Sequence, residues 1–468
     1  MKEYSLQELI KGLDIGKWTS RDLVDMYLKR IKQIDQAGPK LNAMAEINPE
    51  VYEVADMLDL ERKTTGKRSL LHGIPIVIKD NINTYDFMHT SASSIALSDL
   101  FAPNDAFIVK KLRDAGMIIL GKTNLSEFAY FMSFDDMPSG YGSRFGQVKS
   151  PYNEKIDPLG SSTGSAVAVA SNMIPVSIGT ETNGSLTAPA QNNSIVTIKP
   201  TLGLVSRTGI IPISHKQDTA GPMARTVEDC AMLLDVIYGK DENDLKTYHL
   251  PEKKYNFSET YNQSTNNLNI GILRFSNTKY TNEELEILVE AESVLKNKVK
   301  SIKHISMKHE EFSYTSLIYE FKVDLNKYLS SVRNNTNIHT LKDLIEFNKL
   351  DPEKRLKYGQ SIFEASEKTS GTLKEIEYMN ARKDVLLKAK KLTELMIENG
   401  LDVIIMTRRT SHAPIAGNPC VCVPAKALID TTPRSLFFVG KNFDDDLCLQ
   451  IAYQYEQATK KRIPPTFE

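Results

Sequence analysis

The chain has 468 residues, of which 41% are hydrophobic and 25% charged, as in an ordinary water-soluble globular protein. A formal net charge of -1 gives no electrostatic reason to expect a nucleic-acid partner or an anionic membrane surface. The N-terminal sequence MKEYSLQELIKG lacks the apolar core of a signal peptide, and no apolar run reaches about eighteen residues, so a cytoplasmic protein is expected.

The N-terminal region is predicted to form three helices ahead of the first strand. Ser5 and Glu8 have the spacing of a capping box at the start of the first helix. Thr19 and Asp22 have the same spacing at the second, and Pro49 is placed to begin the third.

A buried sheet is predicted to follow these helices. Residues 74–78 form an unbroken apolar run that ends in Lys79. A helix over 105–115 and a strand over 117–120 come next and complete a strand–helix–strand unit. The expected fold is therefore α/β, with a single large mixed, mostly parallel sheet covered by helices on both faces. The polar and aromatic stretch 131–152 is long for a simple connection and suggests a functional loop.

The rest of the chain is predicted to continue the same sheet, interrupted by a helical insertion over 309–400. Residues 240–267 are polar and suggest a surface excursion. We expect one domain over 1–468, with the insertion lying over the sheet as a cap. The remaining predicted strands are 174–178, 195–198, 269–273, 403–406, 420–423 and 436–439. The remaining predicted helices are 226–238, 283–300, 312–329, 340–348, 372–399 and 446–460.

The four cysteines, Cys230, Cys420, Cys422 and Cys448, are few and irregularly spaced. Cys420 and Cys422 fall in an apolar run typical of a strand, with no second Cys or His pair nearby to complete a zinc site. They are interpreted as reduced thiols, and neither a metal nor a cofactor is predicted.

Lys79 is the first candidate for chemistry, because it ends a fully apolar strand. Such a lysine either extends its ammonium to water or is desolvated among hydrogen-bond partners, and position alone favours the first. Desolvation would lower the pKa and supply a neutral amine as a base.

Two small-residue motifs supply the other candidates. GSSTG over 160–164 satisfies G-x-S-x-G, but the preceding sequence SPYNEKIDPL is no strand, so a nucleophile elbow at Ser162 is rejected. GTETNGS over 179–185 follows an apolar strand, which suits a nucleophile beside its own oxyanion hole. A plain Gly/Asn turn explains the second motif equally well at this point.

Taken together, these segments resemble the amidase signature family. The family's order of motifs corresponds here to GSSTGS, GTETNGS and TIKPT, and IPIVIKDN resembles its upstream lysine strand. Ser161 and Ser185 are 24 positions apart, as in the family. The resemblance covers nearly the whole chain, most strongly up to about residue 238.

The resemblance implies a Ser–cis-Ser–Lys triad that works without a metal or cofactor. Ser185 would be the nucleophile, Ser161 the bridging serine behind a cis peptide from Gly160, and Lys79 the terminal base. Gly160 and Ser162 are expected to support the site. The family's oxyanion hole corresponds to the backbone N–H groups of Thr182, Asn183, Gly184 and Ser185.

Within the family, the sequence is most similar to bacterial peptide amidases, which remove the amide group from C-terminally amidated peptides. That similarity implies that 309–400 forms part of the substrate-cleft wall. Asn183, Thr163 and Thr197 depart from the family's usual residues, and Thr187 stands where amidotransferase subunits have Arg. These departures leave the predicted triad intact and bear on substrate identity.

The leading hypothesis is hydrolysis of a linear amide, either a small molecule or a peptide carboxamide, through an acyl-Ser185 intermediate. An ammonia-producing subunit of an amidotransferase complex is the alternative, against which Thr187 and the helical insertion argue. A non-catalytic binding protein on the same scaffold is the third hypothesis, and the intact set of Lys79, Ser161 and Ser185 argues against it.

Overall fold

A computed structural model describes residues 2–332, 336–427 and 432–467, and a mixed sheet of 11 strands forms its centre. A separate short hairpin, β4–β5, lies outside that sheet. The strands are β1 Met44–Ile47, β2 Pro75–Lys79, β3 Ile118–Thr123, β4 Tyr141–Gly142, β5 Gly146–Gln147, β6 Val176–Glu181, β7 Val196–Lys199, β8 Thr219–Ala224, β9 Asn269–Phe275, β10 Ser301–Met307, β11 Val403–Met406, β12 Cys420–Ala427 and β13 Pro433–Gly440.

Helices cover this sheet and build the cap. They are α1 Leu6–Asp14, α2 Ser20–Ile31, α3 Val51–Thr64, α4 Phe107–Asp114, α5 Glu127–Tyr130, α6 Thr163–Ala170, α7 Thr187–Asn192, α8 Val227–Ile237, α9 Phe257–Thr260, α10 Asn282–Leu295, α11 Thr315–Val332, α12 Leu341–Lys349, α13 Pro352–Arg355, α14 Ser361–Glu367, α15 Ile376–Asn399, α16 His412–Ala416 and α17 Asp445–Thr459. Among the described residues, no helix is long and apolar enough to cross a membrane.

The sheet order is β1-β3-β2-β6-β8-β7-β12-β13-β11-β9-β10. The single large mixed sheet flanked by helices is confirmed, but the expectation that most neighbouring strands are parallel is wrong. Among the described strands, β3, β2 and β6 are parallel to one another, as are β11, β9 and β10. The other six pairings of this sheet are antiparallel. A short apolar run marks burial and carries no information about strand direction, which explains the error.

The N-terminal helices begin where the capping boxes predict. Ser5 and Thr19 each accept a hydrogen bond from the backbone N–H of the third helical residue, and both boxes are closed. The prediction that three helices precede the first strand is wrong, because β1 precedes α3. β1 has four residues and lies at the sheet edge, so it carries little hydrophobic pattern.

Two further strands of the 11-stranded sheet, β8 and β10, were missed for different reasons. β8 contains Gly221 and Pro222, which in sequence indicate a turn, yet it lies between β6 and β7 and is fully buried. β10 is a partly exposed edge strand of mixed polarity. The predicted surface excursion over 240–267 is partly wrong, since Phe257 and Tyr261 are buried in the main core.

The described residues of the cap form the helices α11 to α15 and the loops that join them, with no strand among them, as predicted; 333–335 lie outside the described residues. A second hydrophobic cluster joins α11, α12 and α14 to loop residues from earlier in the chain. Phe321 and Phe363, for example, stack with ring centroids 5.5 Å apart, and Phe363 meets Phe128 edge-on at 5.1 Å. The cap is therefore packed onto α5 and the adjoining loop, which follow β3.

Candidate active site

Lys79 is the last residue of β2, and its side chain is fully buried. Its Nζ lies 2.8 Å from Ser161 Oγ, 3.0 Å from Ser162 Oγ and 2.8 Å from Thr180 Oγ1. The sequence alone favoured an ammonium extended to water. The structure places the amine instead among hydroxyl groups beneath the two small-residue motifs.

The hydrogen bonds of Ser162 restrict how this amine is arranged. Ser162 Oγ donates to the Thr180 carbonyl at 2.9 Å and accepts from the Thr180 backbone N–H at 3.1 Å. Its single proton is therefore committed, and it meets Lys79 as an acceptor. If the amine is neutral, its two N–H groups can donate to Ser162 and Thr180, which leaves one lone pair to accept the proton of Ser161.

Lys79 differs from two other buried lysines in what its amine contacts. Lys199 Nζ donates to the Pro200 carbonyl at 2.7 Å and contacts no hydroxyl group among the described residues. Lys122 lies on the neighbouring strand β3, is equally buried, and has a carboxylate oxygen of Asp80 at 3.8 Å. Among the described residues, Lys79 has no carboxylate within ion-pair distance, because its partners are hydroxyl and carbonyl oxygens. Burial lowers the pKa of Lys79 well below its ordinary value, and the charges of Asp218 and Glu181 oppose this only in part.

Ser161 follows Gly160 through a cis peptide bond, as the resemblance implied. Its carbonyl accepts a hydrogen bond from the Ser126 backbone N–H at 3.2 Å. Ser126 Oγ accepts in turn from the backbone of Gly140 at 2.8 Å. The long loop 131–152 is thus tied to the serine motif through Ser126.

Ser185 lies beside this motif, with its carbonyl accepting from the Ser162 backbone N–H at 3.2 Å. The side chain is nearly buried, with 8% exposure. Within the described residues its hydroxyl makes no hydrogen bond, so a Ser161–Ser185 hydrogen bond is not formed here. Catalytic hydrogen bonds often tighten only when substrate is bound.

The loop between β6 and α7 presents unused backbone donors. Within the described chain, none of the backbone N–H groups of 182–185 donates a hydrogen bond to a protein acceptor. The next two N–H groups, of Leu186 and Thr187, are bound by the Glu181 carboxylate at 2.8 and 3.1 Å. Gly184 adopts φ +87°, a conformation that favours glycine. Free, clustered N–H groups can stabilise a developing oxyanion.

Side chains that the sequence analysis did not assign hold this loop in place. Thr182 Oγ1 donates to Asp218 Oδ1 at 2.5 Å, and Gln217 Nε2 donates to the Thr182 carbonyl at 2.8 Å. The other Asp218 oxygen accepts from the backbone N–H groups of Ile213 and Ser214. Burial raises the pKa of Asp218 to about 6. Asp218 lies in the segment QDTAGP. The Gly and Pro of this segment are typical of a turn, although β8 begins at the next residue.

Every residue predicted for the site therefore lies in one region, around the amine of Lys79 or on the loop beside it. Thr180 was missed as a side-chain partner of Lys79, although it belongs to the quoted motif GTETNGS. Asn81 was also missed, and its Nδ2 donates to Thr180 Oγ1 at 3.1 Å. The arrangement combines a buried amine, a chain of hydroxyl groups and a set of free N–H donors.

Known proteins resemble this chain over its whole length. The family profile described as Amidase matches residues 22–419. A probable amidase of Arabidopsis thaliana is 36% identical over 478 residues, covering 100% of this chain and 92% of that protein. The structure of native peptide amidase from Stenotrophomonas maltophilia has a TM-score of 0.93 and 37% identity, covering 100% of this chain and 99% of the other. A glutamyl-tRNA(Gln) amidotransferase subunit of Alkalilimnicola ehrlichii is 30% identical, covering 100% of both chains.

Proposed function

Because this chain belongs to the amidase family and is an amidase, we propose that it hydrolyses the C-terminal carboxamide of peptides through an acyl-Ser185 intermediate. The observation that carries the proposal is the contact of the buried Lys79 amine with Ser161 Oγ at 2.8 Å, without a carboxylate partner among the described residues. The family resemblance read from the motifs is confirmed, and the roles of individual residues are our proposal.

The proposed reaction begins with proton transfer toward Lys79. The neutral amine takes the proton of Ser161 as Ser161 takes the proton of Ser185, and Ser185 Oγ bonds to the amide carbon. The C–N bond then breaks, and the departing nitrogen receives the proton back along the same hydroxyl chain and leaves as ammonia. Water attacks the acyl group by the same proton route, which restores Ser185 and releases the carboxylic acid.

The loop 182–185 is proposed to stabilise the tetrahedral intermediate. Its N–H groups are not committed within the described chain, so they can donate to the oxygen that becomes negative. Removing one such donor in other enzymes costs about 100- to 1,000-fold in kcat. Because the donors are backbone groups, their placement depends on the contacts of Thr182 and Gly184.

A peptide carboxamide is favoured over other amides by the full-length similarity to a peptide amidase at 37% identity. The cap helices support this proposal, since Ser214 beside Asp218 donates to Glu320 of α11 and so ties the cap to the loop around the site. We propose that the insertion over 309–400 forms one wall of a cleft for a peptide chain.

Ammonia release from a small amidated peptide, such as N-acetyl-leucinamide, tests the proposed function. We expect the unaltered protein to release ammonia and Ser185→Ala to lose at least about 1,000-fold in kcat, because the nucleophile is removed. Ser177→Ala is the matched control, since Ser177 lies on β6 and donates to the Ser165 carbonyl away from the amine.

Comparable turnover by Ser185→Ala and the unaltered protein would remove Ser185 from the nucleophile role. Release of ammonia from glutamine only in the presence of a partner protein would instead favour the role of an amidotransferase subunit.

A further inference from the structure

Arg409 is an exposed cation beside the proposed oxyanion loop. It follows β11 in the loop before α16, and its side chain is exposed. Within the part of the chain that the structure describes, its guanidinium has no hydrogen bond and no ion pair. The adjacent Arg408 differs, because its Nε and Nη2 each contact a carboxylate oxygen of Glu284, at 2.6 and 2.8 Å.

The guanidinium borders open space at Gly184. A Cβ placed on Gly184 would lie 3.2 Å from Arg409 Nη1, and no other non-neighbouring heavy atom of the described chain would lie within 4 Å. Asn183 and Gly184 are the only residues of 171–190 that are not buried. The surface therefore opens at these two residues, one peptide unit from Ser185, and Arg409 stands at that opening.

A hydrogen bond joins the Arg409 loop to the oxyanion loop. Asn183 Nδ2 donates to Ser411 Oγ at 3.1 Å, two residues beyond Arg409. Asn183 is also one of the positions where this sequence departs from its family. The contact fixes the separation between the loop that carries the cation and the loop beside Ser185.

The nearest acidic group does not satisfy this cation. One oxygen of the buried Glu181 carboxylate accepts from the backbone of Leu186 and of Thr187, and neither of its oxygens lies within ion-pair distance of Arg409. A guanidinium binds a carboxylate through two parallel N–H···O bonds, a geometry that a Lys ammonium does not reproduce. The exposed fork of Arg409 therefore has the chemistry of a carboxylate-binding group.

We propose that Arg409 is a specificity-determining residue that binds a carboxylate of the substrate, so that the enzyme prefers amides that carry an acidic group near the scissile carboxamide. This inference rests on the proposed function, because it names the substrate class of the same site. The amide carbon reacts at Ser185 while the acidic group pairs with Arg409 across the opening at Gly184.

Two substrates that differ in one charge test the proposal. One is the α-carboxamide of N-acetyl-glutamate, which has a free γ-carboxylate, and the other is the γ-methyl ester of the same amide. The unaltered protein is expected to have the higher kcat/KM on the acid. Arg409→Gln is expected to lower kcat/KM on the acid about 10- to 100-fold and on the ester less than about threefold, since hydrogen bonds to charged groups are the stronger ones. Arg409→Lys, which keeps the charge and loses the fork, should restore only part of the preference.

Arg408→Gln is the matched control. It also removes one positive charge, but from the neighbouring residue, whose guanidinium is already paired with Glu284. It should leave the ratio of the two kcat/KM values unchanged. Equal ratios in the unaltered protein and in Arg409→Gln, with both substrates hydrolysed, would overturn the role of Arg409 and leave the proposed function intact. Hydrolysis of neither substrate by the unaltered protein would count against the proposed function and against this inference with it.

Discussion

At the scale of single residues, the proposed chemistry depends on the amine of Lys79. A buried lysine is ordinarily paired, as Lys122 is with Asp80, and an unpaired one is stabilised by losing its proton. Lys79 is surrounded by hydroxyl and carbonyl oxygens, which accept hydrogen bonds from an amine but supply no full negative charge. Its position at the foot of the serine motifs makes the neutral form available where a proton must be moved.

The lowered pKa of Lys79 predicts a pH dependence of both activity and stability. Between the folded-state pKa and the ordinary value of 10.5, the unfolded chain binds a proton that the folded chain lacks, so the free energy of unfolding rises with pH in that window. Lys79→Met removes this contribution and should be inactive. The free energy of unfolding of the unaltered protein minus that of Lys79→Met, measured by denaturant unfolding across pH, should therefore rise with pH in this window.

The same titration should appear in turnover, where kcat/KM of the unaltered protein rises with pH through the lowered pKa. A stability difference that does not change with pH would mean that Lys79 keeps its ordinary pKa in the fold. That result would contradict the proposed base.

The residues of the site could be found from sequence because each lies in a short motif. Local patterns singled out Lys79 and the motif GTETNGS that contains Ser185, whereas Ser161 and the three roles came from the family resemblance. Thr182, Gln217 and Asp218 form their hydrogen bonds across 35 or 36 positions, and no local pattern reports such contacts. Arg409 was missed for the same reason, since its proximity to Gly184 exists only in the folded chain.

At the scale of elements, side chains and the backbone carbonyls of Gly184 and Ser185 together position the loop between β6 and α7. Thr182 Oγ1 donates to Asp218, and Asp218 binds the backbone at Ile213 and Ser214. The Thr182 hydroxyl therefore aligns a loop whose N–H groups are proposed to bind the oxyanion. Thr182 acts here as a positioning residue through its side chain.

Replacing Thr182 with Val removes this hydroxyl with little change in shape. We expect kcat to fall about tenfold, equivalent to about 1.4 kcal/mol of lost transition-state stabilisation, with a smaller change in KM. Thr182→Ser keeps the hydroxyl, so its kcat should stay within about threefold of that of the unaltered protein, whereas Thr182→Val should lose about tenfold. Steady-state kinetics on one peptide amide measure both values, and a kcat for Thr182→Val equal to that of the unaltered protein would show that the bond to Asp218 does not position the loop.

Strands were predicted where the sequence is continuously apolar, and they were missed where a buried strand contains residues typical of turns. β11 coincides with its predicted bounds because Val403–Met406 is uniformly apolar. β8 was missed because Gly221 and Pro222 indicate a turn, although the strand is buried between two neighbours. Asp218 immediately precedes β8. Because β8 was not predicted, nothing in the sequence placed Asp218 beside the site.

At the scale of the whole molecule, the sheet brings distant segments together. Lys79 and Ser161 are 82 positions apart in sequence. The parallel pairing of β2 with β6 brings Lys79 beside Thr180, and Ser162, the neighbour of Ser161, is hydrogen-bonded to Thr180. The cap then joins this region through α11, where Glu320 binds Ser214 and Asp324 binds His215. Sequence predicted the helical character of the cap, whereas its attachment beside Asp218 required the folded structure.

The proposed chemistry depends on Ser185 being a nucleophile that Lys79 activates through Ser161, and covalent labelling by a fluorophosphonate tests this most directly. Intact-protein and peptide mass spectrometry should show one adduct, on Ser185, in the unaltered protein and none in Ser185→Ala. The rate of labelling should fall by at least about 100-fold in Lys79→Ala, since a positioned base contributes about 100- to 10,000-fold. Adduct formation on another residue, or equally fast labelling without Lys79, would contradict the account.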